Sequence, residues 1–284
     1  MINLKCSTVN DVWYQLLRKC LEIDEEGNFK NAYPTGIIQK GSFEFGQSRL
    51  QFPGIAIEIE FPDKDYCVIM PNGLENIAPT TMEKIENYFH NYIIGNVIPK
   101  ETTYTYGSRL NEYDGIWDII EMLKETPVTN QAVCEIGKPG DHKNCKGKDG
   151  KNDPPCLRVV DFKVVPAFKT CPNCNGHGWF TDSTEGGIPV VCGLCLYDEN
   201  KGKGTGLILD KENSRLDMSV YWRSWDLFGG LPENLGGLSL LQQMVSGAIE
   251  IPIGKMYAYS SGLHLYGYQR ELAEMRTHLN VKEF

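Results

Sequence analysis

Four of the ten cysteines stand in two tight pairs, Cys171/Cys174 and Cys192/Cys195, each a CxxC, with seventeen residues between the pairs. Each CxxC places two thiolates on one turn, and two such turns facing each other supply the four ligands of a tetrahedral zinc. Gly176, Gly178, Gly202 and Gly204 follow the pairs and suit the unusual backbone angles of such turns. With four thiolate ligands no coordination position stays open, so the zinc implied is structural rather than catalytic. His177 is an alternative fourth ligand, and the plainest reading is four reduced cysteines in a loop. Disulfide scaffolds of secreted proteins are usually short, whereas this chain has 284 residues and opens MINLKCSTVNDVW, without a signal-peptide apolar core. Metal binding or catalysis therefore explains the cysteines better, and a cytoplasmic protein is expected.

The cysteine-rich segment, 168–206, lies between two runs that read as strands, LRVVDFKVV (157–165) and LDMSVYW (216–222). It is read as an elaborated hairpin connection, a zinc-binding knuckle inserted into a single domain spanning 1–284. Helices are expected at 11–24, where Trp13, Leu16, Leu17, Cys20 and Leu21 share a face behind an Asp11 cap. Others are expected at 79–94, at 114–125 before Pro127, at 234–248 and at 267–278. Residues 37–61 and 251–269 read as strands, and 27–36 as turns. The stretch 137–155 is a polar loop carrying Lys138, Lys143, Lys146, Lys148 and Lys151 and ending in Pro-Pro. Strands and helices mix without a regular β-α repeat, so the class is α+β, one large mixed sheet flanked by helices.

A net charge of −9 argues against a general nucleic-acid binder, whose affinity comes from neutralising phosphates, although a local basic patch is not excluded. No apolar run is long enough to span a membrane.

Within DPPCLRVVDFKV, Cys156 follows Pro-Pro at the mouth of a strand, a rigid setting that suits a nucleophile, though many such cysteines simply pack in a core. Three further blocks accompany it: TYTYGSRL (103–110) with the IWDIIEMLKETP helix, LDMSVYWRSWDLFGGLPENLGGLSLLQQM (216–244) and SSGLHLYGYQ (260–269). In this order the four blocks resemble the thymidylate synthase and deoxypyrimidine nucleotide hydroxymethylase family, especially its short archaeal- or phage-like branch. The resemblance runs over about 103–275 and is faint over 1–100, where a helix precedes a strand ending EFGQSRL.

The resemblance implies a thymidylate synthase-like fold and folate-dependent one-carbon transfer to C5 of a pyrimidine nucleotide. Cys156 would attack C6, Tyr106 would assist proton movement at C5, and Glu86 is the choice for the general base. Arg223 and Ser224 match the phosphate-binding pair, and Arg223 would favour the Cys156 thiolate. His264 and Tyr266 match the pair on the sugar 3′-hydroxyl, and Asp161 stands where a glutamine borders the nucleotide. Asp226, with Gly230, matches the pterin contact of 5,10-methylenetetrahydrofolate. Asn234 matches the amide at the pyrimidine edge, and an Asn can accept from N3–H and donate to O4, which suits uracil. A homodimer formed through sheet packing is also implied. Singly, each has a plainer reading: Arg223 a surface ion pair, His264 a satisfied core histidine, Asn234 a helix N-cap.

Two departures stand out. Asn130 and Gln131 occupy the places of two adjacent phosphate-binding arginines, and NAYPTG (31–36) lacks another. Arg223 alone is left of that cluster, and the lysines of the 137–151 loop are expected to supply the missing charge. The other possibility is a different substrate: a nucleoside, a larger nucleotide, or a base in a polynucleotide with the knuckle as docking element. The same chemistry ends in methylation by hydride transfer or in hydroxymethylation by water. A repurposed paralogue that binds nucleic acid or protein through the knuckle is the rival of another class.

Overall fold

The computed structural model describes residues 1–37, 47–112, 115–146, 151–182, 188–199 and 202–281. The chain begins with β1 (Ile2–Cys6), α1 (Val9–Leu21), β2 (Tyr33–Ile37), β3 (Ser48–Gln51) and β4 (Ile55–Ile59). Then come α2 (Met82–Tyr88), running on as a π turn over Phe89–Ile93, α3 (Tyr106–Leu110) and α4 (Gly115–Glu125). Next are β5 (Val133–Glu135), α5 (Asp141–Asn144) and β6 (Leu157–Val165). Short strands follow: β7 (Phe168–Thr170), β8 (Trp179–Asp182), β9 (Ile188–Val191), β10 (Tyr197–Asp198), β11 (Lys203–Gly204) and β12 (Leu207–Leu209). The chain then makes β13 (Arg215–Trp222), β14 (Trp225–Asp226), α6 (Gly230–Ile249), β15 (Ile253–Ser260), β16 (Leu263–Tyr266) and α7 (Arg270–Thr277).

Six strands form the main sheet in the order β1-β4-β15-β13-β6-β5. β1 runs parallel to β4 and β13 to β15, while the remaining pairs are antiparallel, so the sheet is mixed and the class is α+β. Alternation along β13 points Leu216, Met218 and Val220 to one face, opposite Val164, Phe162 and Val160 of β6, and all six are buried. Helix α6 packs on that face, with α1, α2 and α4 around it. Tyr221, Tyr259 and Val165 sit on the other face and stay exposed.

Several elements differ from the sequence reading. Helix α1 starts earlier, because Thr8 rather than Asp11 is its cap: Thr8 Oγ1 accepts the Asp11 N–H at 3.3 Å, and the Asp11 carboxylate accepts from Ser7 N. The N-terminal strand β1 had no signal of its own and is fixed by parallel pairing with β4. The run 251–269 is two strands in two sheets. It breaks at Gly262, where a Cβ would lie 2.7 Å from the Arg223 carbonyl, so only glycine lets β16 leave the main sheet beside that residue. β16 then joins a second sheet, β14-β16-β3-β2.

Between β6 and β13 the chain makes three two-stranded ribbons, β7/β12, β8/β9 and β10/β11. Cys171, Cys174 and Cys192 form a small buried cluster there, apart from the main core.

Candidate active site and cysteine cluster

A cavity of about 380 Å³ lies where the first turn of β6 meets the second sheet, with Cys156, Arg49, Asp153, Arg223, Ser224 and Tyr266 in its wall. Pairing between β6 and β13 shifts here: Tyr221 faces Val159, but Trp222 faces Leu157, leaving Arg158 as the extra residue of a bulge. A bulge re-aims the side chains beside it, and this one sits two residues after Cys156. Backbone pairing of Arg223 N to Cys156 O at 2.9 Å holds the two segments together. Arg223 also donates from Nε to Pro155 O at 3.0 Å and from Nη2 to Pro154 O, and Nη2 lies 3.6 Å from the Cys156 sulfur. Burial raises the Cys156 thiol above its usual range, against the lowering by Arg223 and Arg158, and Asp153 adds to the rise. Arg223 thus acts in the expected direction, but desolvation wins and the resting group is a thiol.

Behind Cys156 stands a closed circuit of aromatic side chains. Tyr88 stacks on Tyr92, Tyr92 meets Tyr106 edge-on at 4.9 Å, Tyr106 meets Trp222, and Trp222 stacks on Trp225 at 4.8 Å. Asn234 closes it, accepting from Trp225 Nε1 at 2.9 Å and donating to Tyr88 Oη at 2.8 Å. The Tyr106 hydroxyl accepts from Leu157 N at 3.3 Å, next to the cysteine, and burial holds its phenol well above the usual range, hence neutral. Asn234 lies inside α6 and is no N-cap. Trp225 and Tyr88 use one acceptor site and one donor of its amide, and a carboxamide has two of each. Neither aromatic partner was visible in the sequence.

In the second sheet, His264 lies opposite Gln51, and Tyr266 opposite Arg49. His264 is 2% exposed, and its Nδ1 lies 2.7 Å from Gly262 O. A carbonyl only accepts, so Nδ1 carries the proton. Burial lowers the ring's pKa to about 4, so Nε2 is an acceptor, and that buried nitrogen has no partner. His264 is therefore not the satisfied core histidine of the plainer reading.

Other expected residues lie elsewhere. The Asp226 carboxylate accepts from the N–H groups of Phe228, Gly229 and Gly230 and from Gln269 Nε2. It thereby holds the turn Phe228–Gly230 that leads into α6, which starts at Gly230 rather than 234. Asp161 pairs with Ser219 and Val133 on the sheet face opposite Val160 and Phe162, because strand side chains alternate, and it does not line the cavity. Glu86 is exposed on α2, also outside the cavity wall.

Among the described residues of the loop, no lysine lines the cavity either. Lys138 pairs with Glu112, Lys146 bonds Asn152, and Lys148 lies outside the described residues. The loop is pinned instead by buried Asp141, which holds Arg109 at 3.0 Å and Arg158 at 3.7 Å. Among the described residues, the cation that lines the cavity beside Arg223 is Arg49. The stretch EFGQSRL contained it, but the alternation of one short strand does not say which cavity a side chain enters.

Cys171, Cys174, Cys192 and Cys195 bring their sulfurs within 4.8 Å of one another, with Cys171 to Cys192 at 3.8 Å and Cys174 to Cys195 at 3.3 Å. Four sulfurs about 2.3 Å from a tetrahedral zinc stand about 3.8 Å apart, so the cluster fits that ion. Asn173 Nδ2 and Gly178 N donate to the sulfurs of Cys192 and Cys174. His177 is exposed and stands outside the four-cysteine group.

The thymidylate synthase family model matches residues 189–283, which hold Arg223, Ser224, Asn234, His264 and Tyr266. A provisionally named thymidylate synthase of Methanosarcina mazei is 24% identical over 219 residues, 74% of this chain and 76% of that one. Another, from Methanosarcina barkeri, is 22% identical over 95% of this chain and 92% of its own length. The chain is thus similar to the thymidylate synthases. The crystal structure of thymidylate synthase from T4 phage matches 96% of the chain at a TM-score of 0.51 with 15% identity, and covers 82% of the phage protein. The fold is thus thymidylate synthase-like, a large mixed sheet with flanking helices, here with a four-cysteine cluster in the β6–β13 connection. No helix among the described residues is long and apolar enough to cross a membrane.

Proposed function

We propose that this protein transfers a one-carbon unit to C5 of a uracil nucleotide, with Cys156 as the covalent catalyst. The observation that carries the reading is Cys156 in the wall of a cavity shared with Arg223, Ser224 and Tyr266, backed by the neutral phenol of Tyr106. The Cys156 sulfur adds to C6 after giving up its proton, and the C5–C6 π pair moves to C5 as an enolate. C5 would bond to the donor's methylene carbon and then lose its proton, with Tyr106 as relay. The carbon–nitrogen bond to tetrahydrofolate would break with the nitrogen taking the pair. Hydride from the tetrahydrofolate, or water, would add to the resulting exocyclic methylene as the C5–C6 bond reforms and the sulfur is expelled. Asn234, with one donor and one acceptor left, faces the uracil edge. The bare Nε2 of His264 accepts the sugar hydroxyl. The one-carbon donor is 5,10-methylenetetrahydrofolate, with Asp226 and Gly230 at its pterin. Zinc fills the four-cysteine cluster as a structural ion, and two chains pair through the open face of the main sheet.

The test is tritium release from [5-³H]dUMP with and without methylenetetrahydrofolate. Folate-dependent release by the wild type, lost in Cys156→Ser, is expected. A folded, zinc-loaded protein that releases none sinks the reading. The product, thymidylate or 5-hydroxymethyl-dUMP, decides between methyl and hydroxymethyl transfer.

A further inference from the structure

Asn234 is held between two aromatic partners that constrain it unequally. The indole Nε1–H of Trp225 donates to its Oδ1 at 2.9 Å, and its Nδ2 donates to the Tyr88 hydroxyl at 2.8 Å. An indole nitrogen only donates, so whatever faces it must accept. A phenol donates or accepts by turning its O–H, so either end of a carboxamide satisfies it. Burial holds the Tyr88 phenol well above its usual range, with Tyr92, Glu233 and Cys156 adding to the rise, so the hydroxyl stays neutral and keeps both roles. The sense of the amide is therefore set by Trp225 and not by Tyr88. Trp225 cannot turn away: it is 2% exposed, lies flat on Trp222 at 4.8 Å and 5°, and its backbone N–H is tied to Gly262 O at 3.1 Å. Asn234 itself, in the second turn of α6, is only partly buried, so its second lone pair and second N–H stay open to a ligand.

We infer that Trp225 is a positioning residue for base selection: it locks the Asn234 amide in one of its two senses, so that the site takes uracil and rejects cytosine. The choice of uracil rests on the function proposed above; the lock rests on Trp225. The two bases present opposite hydrogen-bonding edges. Uracil offers the N3–H donor beside the O4 acceptor, and cytosine offers the N3 acceptor beside the N4 amino donor. A carboxamide free to turn half a revolution about Cβ–Cγ serves either base, because exchanging its O and N converts one pattern into the other. With Trp225 in place, that half turn sets the indole N–H against the amide N–H, and a buried donor without an acceptor is costly. Asn234 alone is thus tolerant of both bases, and Asn234 under Trp225 is not. Tyr88 has the lesser part of holding the far end of the amide without choosing its sense.

The experiment compares the dissociation constants of dUMP and dCMP, by calorimetry, for wild type, Trp225→Phe and Tyr88→Phe. Phenylalanine at 225 keeps a ring to stack on Trp222 and removes the Nε1–H. Wild type should prefer dUMP, and Trp225→Phe should shrink that preference about 10- to 100-fold, chiefly by strengthening dCMP. Tyr88→Phe should keep most of the wild-type ratio, since Trp225 still fixes the amide. A loosened site or partial loss of folded protein weakens both nucleotides alike, so the ratio reads the lock. A Trp225→Phe protein with the wild-type preference for dUMP overturns the inference and leaves the uracil reading standing. A Tyr88→Phe protein that loses the preference as fully as Trp225→Phe also overturns it, as does a wild type that binds the two nucleotides alike or binds neither. A wild type that prefers dCMP, with the preference lost in Trp225→Phe, supports the lock and removes the uracil reading instead.

Discussion

His264 is buried on a strand with one ring nitrogen bonded and the other bare, and its protonation carries a cost that folding must meet. Its ordinary pKa of 6.5 falls to about 4 through burial, with Arg49 opposing the charge as well. Between these values the unfolded chain binds a proton that the folded chain does not, so stability falls as pH drops through this window. The difference corresponds to about 3 kcal/mol at most at full protonation. Urea unfolding from pH 7 to pH 4 should therefore show an acid loss that His264→Gln reduces. An unchanged slope in that variant would place the proton elsewhere. Cys156 makes the same point with two opposed causes. Arg223 and Arg158 lower its pKa, yet desolvation outweighs them, so the resting group is a thiol.

At the level of elements, Asp226 gathers the turn that leads into α6. Three backbone N–H groups and Gln269 converge on one carboxylate, a larger commitment than an ordinary N-cap. Asp226→Ala should cost about 1–3 kcal/mol in urea unfolding, because those donors lose their acceptor. A variant with wild-type stability but a raised KM for folate would give Asp226 to the cofactor alone. The ribbons between β6 and β13 have their own small core, made of the cysteines. One zinc per chain is expected by colorimetric release. Stripping it should remove hydrogen-exchange protection over 168–209 while β6 and β13 keep theirs, since the main core does not use those sulfurs. Loss of protection in β13 at the same zinc concentration would show that the knuckle supports the sheet.

Over the whole molecule, the main sheet buries one face under α6 and leaves the other open, with Tyr221, Tyr259 and Val165 exposed. An apolar sheet face of this kind is usually covered. Sedimentation should report a dimer, and the paired change Tyr221→Lys with Tyr259→Lys should give monomers. A monomeric wild type would remove the pairing through this face.

What the sequence determined by itself is whatever depends on neighbours along the chain. Periodicity placed α1, α4, β6 and β13 within a few residues, CxxC spacing brought four sulfurs together, and Pro-Pro set Cys156 at the head of a strand. Tertiary structure decided what depends on pairing between distant segments. One bulge in β6 and the alternation of its side chains turned Asp161 away from the cavity. Long-range contacts tied the Asp226 carboxylate to the turn before α6 and to Gln269, and the pairing of β3 with β16 set Arg49 opposite Tyr266. A strand's own residues fix which of them share a face. Only the strands and helices packed against it fix what that face looks upon, and that is why Arg49 was silent in the sequence.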